Sequence, residues 1–210
     1  MLAPLLLSAL ACTGGEELSP EDIALEPLDD VTLDPPTDDD DPTPERAVTE
    51  SGSDEDWDWA HLRGWVKAGG ADVYAAITDP DVGVDRREMA EWSSAELQDD
   101  EVDVAYVVNN VVTDPVTVDF DVTWRHAQAS DDESGTGGSV SVWAKTGGTE
   151  FIPVLEGSAV TVDEGSAIDV LLVYHLDTFD SSPDDAERYL EDFYASIVAV
   201  AHGDPLPTYE

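Results

Sequence analysis

Two groups of side chains have types and spacing that could do chemistry. In the run Asp79-Pro80-Asp81-Val82-Gly83-Val84-Asp85, with Glu88 three residues on, carboxylates recur around a glycine. Oxygens at alternating positions on a tight turn suit Ca²⁺, which takes about 6–8 oxygen ligands. The candidate metal ligands are therefore Asp79, Asp81, Asp85 and Glu88. The spacing is not that of an EF-hand, because Gly83 stands fifth and Glu88 tenth, where that loop has Gly sixth and Glu twelfth. Asp177, Asp180, Asp184 and Asp185 form a second carboxylate group, two of which could instead cap a helix. Against both stands the plain alternative of solvated turn carboxylates in an acid-rich chain.

The usual catalytic spacings are missing: there is no Gly-x-Ser-x-Gly, His-Glu-x-x-His, P-loop or dinucleotide glycine pattern. His61, His126, His175 and His202 are scattered, and a lone strand histidine is ordinarily structural. The expectation is a non-catalytic protein with no cofactor beyond the candidate Ca²⁺. A hydrolase using carboxylates is the rival class. Trp57-Asp58-Trp59 reads as the first anchor of a core, with a ligand-stacking platform as the alternative.

The elements that would position these groups are mostly strands. Val116, Val118, Phe120, Val122 and Trp124 alternate with polar residues, the period-2 mark of a half-buried strand. Val102 to Val108, Ser139 to Lys145, Phe151 to Leu155 and Ala159 to Val162 read the same way, as do Gly64 to Lys67 and Ala71 to Thr78. Ile168 to Leu176 is apolar on both faces and should be a central strand. Ser130 to Gly138 suits a long hairpin connection, and Glu156-Gly157-Ser158 a turn. Asp85 to about Leu97 has capping-box spacing for a short helix, with a strand or loop as the alternative. A helix over about 183–202 follows from Ser182 as N-cap, Pro183 in the first turn, and Ala186, Leu190, Phe193, Ile197 and Val200 along one face. The expected fold is mainly β: an antiparallel sandwich of about 7–8 strands over residues 57–210, closed by that helix.

Composition sets the surroundings. The chain has 49 acidic against 8 basic residues, a net charge of −41 over 210 residues. Nucleic-acid binding is excluded, since phosphate contacts need clustered Lys and Arg. Asp-rich, Lys-poor surfaces suit concentrated salt, and a GC-rich codon bias would produce the same excess. Residues 16–56 hold 17 acidic side chains, one basic one and six prolines, and all 16 aromatics lie after residue 56. Such a segment reads as a disordered tether with a span of roughly 35 Å, its boundary with the domain at residue 57.

Residues 1–11 are apolar and uncharged, too short to span a bilayer, and fit the core of a secretory signal. Cys12, the one cysteine of the chain, stands directly after Ala9-Leu10-Ala11. This resembles the lipobox of bacterial lipoproteins, departing from it at Ala9 and in having no basic n-region. The resemblance implies a diacylglycerol on Cys12 and a place in the bacterial cell envelope, in the outer membrane or secreted. Tyr106 to Asn110, Val116 to Trp124 and Gly157 to Leu172 are similar to Ig-like bacterial cell-surface modules. Together these imply a lipid-anchored surface protein that binds an unnamed protein or glycan partner, or a Ca²⁺-stabilised adhesion module.

Overall fold

A computed structural model describes residues 18–113, 116–129 and 138–209. The expected signal at 1–11, Cys12 and most of the 130–138 connection lie outside these residues. Eight strands form one sheet: β1 (Ala47–Ser53), β2 (Asp58–Val66), β3 (Glu91–Glu96), β4 (Val104–Val112), β5 (Val118–Ala129), β6 (Gly138–Gly148), β7 (Val154–Asp163) and β8 (Ile168–Asp177). Among the described residues two α-helices, α1 (Gly70–Ile77) and α2 (Pro183–Ala201), accompany them. The strand order is β1-β2-β8-β7-β6-β5-β4-β3, with every neighbouring pair antiparallel. The mainly β fold, the strand number and the C-terminal helix agree with the sequence expectation.

The Ig-like sandwich does not hold. Among the described residues there is one sheet, and the layer that covers its apolar face is helical. Alternation says that a strand is half-buried, not what buries it. The covering element is α2. Ser182 accepts a hydrogen bond from the Asp185 amide at 3.3 Å, and Pro183 opens the helix. Gly203, at φ +75°, ends it in the left-handed conformation a C-terminal glycine allows. Its buried face carries Ala186, Leu190, Phe193 and Ile197, the expected stripe. Phe193 meets Trp124 of β5 edge-on at 5.9 Å and Trp143 of β6 at 5.6 Å, while the two indoles stack at 4.5 Å. The sheet thus grips the helix.

Three local expectations are corrected. Ala71 to Thr78 is helical, because Val73, Ala76 and Ile77 sit one turn apart and bury a single helical face. Asp85 to Leu97 makes a turn and then edge strand β3, not a helix. Glu156-Gly157-Ser158 is the interior of β7, not a turn. Gly157 opposes Trp143, and a Cβ there would lie 2.0 Å from the indole Cζ2. That glycine serves close packing rather than chain reversal.

The described part of the acidic segment, residues 18–56, is likewise laid against the sheet. Its last part is β1, so the boundary expected at residue 57 falls inside the β1–β2 hairpin. Upstream, Ile23 packs on Val142 and Ala144 on the outer face, away from α2. The buried Arg125 guanidinium donates to the Ile23 carbonyl and pairs with Asp99 at 2.8 Å and Glu101 at 3.2 Å. Arg63 donates to the Leu33 carbonyl at 2.9 Å, and Trp65 Nε1 to the Pro36 carbonyl at 2.9 Å. Each bond satisfies a main-chain carbonyl of a segment too poor in apolar residues to pack by itself.

Candidate functional site

Paired residues across an antiparallel sheet share a face. Tyr106, Trp124, Trp143, Gly157 and Tyr174 are therefore one transverse row on the inner face, and Val108 with Val122 and Asn110 with Phe120 belong to the next rows. The row that meets Phe193 is filled. Toward the other end of the strands, the inner face and α2 part and enclose a cavity of about 740 Å³. Its floor is Val108, Phe120, Val122, Trp124, Trp143 and Tyr174, and its roof is the first turns of α2 through Asp185, Arg188 and Tyr189. One side is closed by the chain from Gly83 to Met89. That chain is held down because Gly83 lies on Trp124, where a Cβ would come 2.6 Å from the ring, and because Tyr189 Oη donates to the Gly83 carbonyl at 2.9 Å.

The mouth is marked by residues in the wrong solvent. Phe179 is 98% exposed, Phe151 65% and Val116 60%, and all three line the cavity. They come from the β8–α2, β6–β7 and β4–β5 connections, which the topology gathers at one end of the sheet. Single exposed apolar residues need no explanation, but three converging on one opening do.

Charge at the site sits along its roof and side. Arg188 pairs with Asp185 at 2.7 Å and Glu88 at 3.4 Å. Burial acts against the charge of Asp185, yet hydrogen bonds from Ser182 and Arg188 prevail and hold its carboxyl below the usual range. Asp85, half-buried, is shifted the other way: burial pushes its carboxyl up, despite hydrogen bonds from the Arg87 and Glu88 amides. Burial also raises the hydroxyls of Tyr174 and Tyr189, which are neutral at any ordinary pH.

The four candidate calcium ligands do not form an oxygen cage. Asp79 accepts from the Asp81 amide at 3.0 Å, Asp81 accepts from Trp92 Nε1 at 2.8 Å, and Glu88 faces Arg188. Among the described residues no three His, Cys, Asp or Glu side chains come together in a way that could hold a metal ion. Asp85 and Glu88 instead reach the cavity wall. Of the second group, Asp180 and Asp185 line the cavity, and Asp184 and Asp185 lie in the first turn of α2.

The histidines stand apart from the cavity lining. His126 Nδ1 lies 2.7 Å from Ser141 Oγ, a pairing that would suit a nucleophile and its base. Both residues are fully buried, and burial pushes the imidazole down to about 3. The pair is core, stacked against Trp124 at 5.9 Å. His175 is on the outer face, between Glu156 at 3.2 Å and Asp29 at 2.9 Å. Trp57 stacks on it at 5.4 Å, Trp59 meets His61 in a tilted contact at 5.0 Å, and neither tryptophan is in the cavity lining.

No family model matches the chain, and no curated protein matches its sequence. Solved structures do resemble it at low identity. Protein CV1439 from Chromobacterium violaceum aligns with a TM-score of 0.47 and 13% identity, covering 70% of this chain and 98% of that one. The human StarD13 (DLC2) lipid transfer and protein localization domain aligns at 0.46 and 16%, covering 76% and 88%. The Zhui aromatase/cyclase from Streptomyces sp. R1128 aligns at 0.40 and 12%, covering 75% and 92%.

Proposed function

We propose that this protein is a non-catalytic binder of an apolar small molecule, held between the inner face of the sheet and α2. The observation that carries the reading is the cavity of about 740 Å³, walled by aromatic and aliphatic side chains and opening between Val116, Phe151 and Phe179. Its size lies within the roughly 300–1,000 Å³ of small-molecule sites. An apolar guest gains about 0.8 kcal/mol for each methylene it buries. The sequence around Cys12 supports a lipid anchor, which would present the cavity at the cell envelope. A Cys12→Ser variant that remained membrane-bound and still took up a fatty-acid label would overturn that part.

The binding reading is tested with n-alkanols and a neutral fluorescent dye such as Nile red. Octanol to dodecanol should displace the dye with an affinity rising about fourfold per methylene. Leu155→Trp places bulk in the cavity and should weaken the whole series. Dye displacement independent of chain length, or unaffected by Leu155→Trp in a folded protein, would reject the cavity as the site.

A further inference from the structure

We infer that the guest carries a cationic group, an amine on an apolar body, rather than a carboxylate. The inference rests on the cavity being a binding site and adds which head group it takes. The charged residues on its wall are Asp85, Glu88, Asp180, Asp185 and Arg188, four acids and one base. Arg188 is already engaged: it holds Asp185 at 2.7 Å and faces Glu88 at 3.4 Å. A guest carboxylate would have to break those contacts and enter a wall that stays negative. Asp85 is different. Its two hydrogen bonds, from the Arg87 amide at 3.0 Å and the Glu88 amide at 3.4 Å, both fall on Oδ1, which spares Oδ2 for a ligand. Burial penalises its charge, and a cation beside it would relieve that penalty. Charge attraction next to an apolar wall is also stronger than in water. The aromatic floor of Trp124, Trp143 and Tyr174 faces the apolar body. The net charge of −41 draws cations toward the mouth and repels anions from it.

The test uses three guests with one chain length: dodecylamine, dodecanol and laurate. Binding is followed by displacement of Nile red from the full chain at pH 7. Dodecylamine should bind at least about tenfold tighter than laurate, and tighter than dodecanol. Dodecanol in excess should compete the amine off, which adsorption to the acidic surface would not allow. Asp85→Asn keeps the Oδ1 acceptor and should remove most of the preference for dodecylamine over dodecanol. Glu88→Gln, at an exposed position, should lower the preference in the same direction. Laurate binding as tightly as the amine, or an amine that dodecanol does not displace, would overturn the inference while the alkanol result stands. A preference unchanged in both variants would overturn it too. Failure of all three guests to bind would remove the cavity reading itself.

Discussion

Acidification should act on this fold through one buried imidazole. His126 is fully buried and bonded through Nδ1 to Ser141 Oγ at 2.7 Å. Its Nε2 has no hydrogen-bond partner, and burial pushes its pKa from 6.5 to about 3. The native state therefore favours the neutral ring. A base whose folded pKa is depressed contributes stability that is complete above its unfolded pKa and is lost as pH falls below it. Between pH 7.5 and 4.5 the unfolded chain gains nearly a full proton at this position and the folded chain almost none. At 1.36 kcal/mol per unit, the loss is about 2.5 kcal/mol. Other groups also respond to pH, so the quantity to measure is a difference. Urea unfolding of wild type and His126→Phe at both pH values isolates it. The variant should lose about 2.5 kcal/mol less than wild type on acidification. The Ser141 hydroxyl left unpaired by the substitution costs the same at each pH and cancels. Equal losses in the two proteins would refute the reasoning, because they would mean His126 is protonated within the fold.

Gly157→Ala drives a methyl into Trp143, with the built Cβ 2.0 Å from Cζ2 and 2.2 Å from Cε2, and should cost about 1–3 kcal/mol or more in urea unfolding; an unchanged midpoint would show that β7 is not seated there. Arg125→Met keeps the volume but removes the donor that holds the Ile23 carbonyl together with Asp99 and Glu101, and should make residues 18–37 cleavable by trace protease before the sheet unfolds; wild-type resistance would contradict the outer-face packing. Ser182→Ala removes the cap of α2 and should lower stability by about 1 kcal/mol, read in chemical denaturation.

What could be read from the sequence depended on how local its cause was. Helix α2 was legible because cap, proline and apolar stripe lie within 20 residues of each other, and its observed range of 183–201 differs by one residue from the expectation. The inner face of β5 and the doubly buried β8 were legible for the same reason, since alternation and its absence are local patterns. Helix α1 was not, because eight residues give two helical turns and Val73 and Ile77, four apart, fit either period. Gly157 was read as a turn residue because its partner, Trp143, is set by pairing between strands. Composition marked residues 16–56 as a tether, yet what holds their described part comes from Arg63, Trp65 and Arg125 on distant strands. The cavity draws on five strands, a helix and four connections, so no window of sequence contains it. A signal was present in Phe179, a large apolar side chain set among Asp177, Thr178 and Asp180. Carboxylate spacing did single out Asp85 and Glu88, and the structure carries them to the cavity wall rather than to a cage of oxygens.

Titrating ¹⁵N-labelled protein with dodecanol and recording amide shifts residue by residue tests the central claim most directly. Saturating changes should concentrate at Val108, Val122, Trp143, Leu155 and Tyr189, which surround the cavity from strand and helix sides. Val142 and Ser158, on the outer face, should stay in place. Shifts confined to the outer face, or no saturating shifts at any of the cavity residues, would contradict the account.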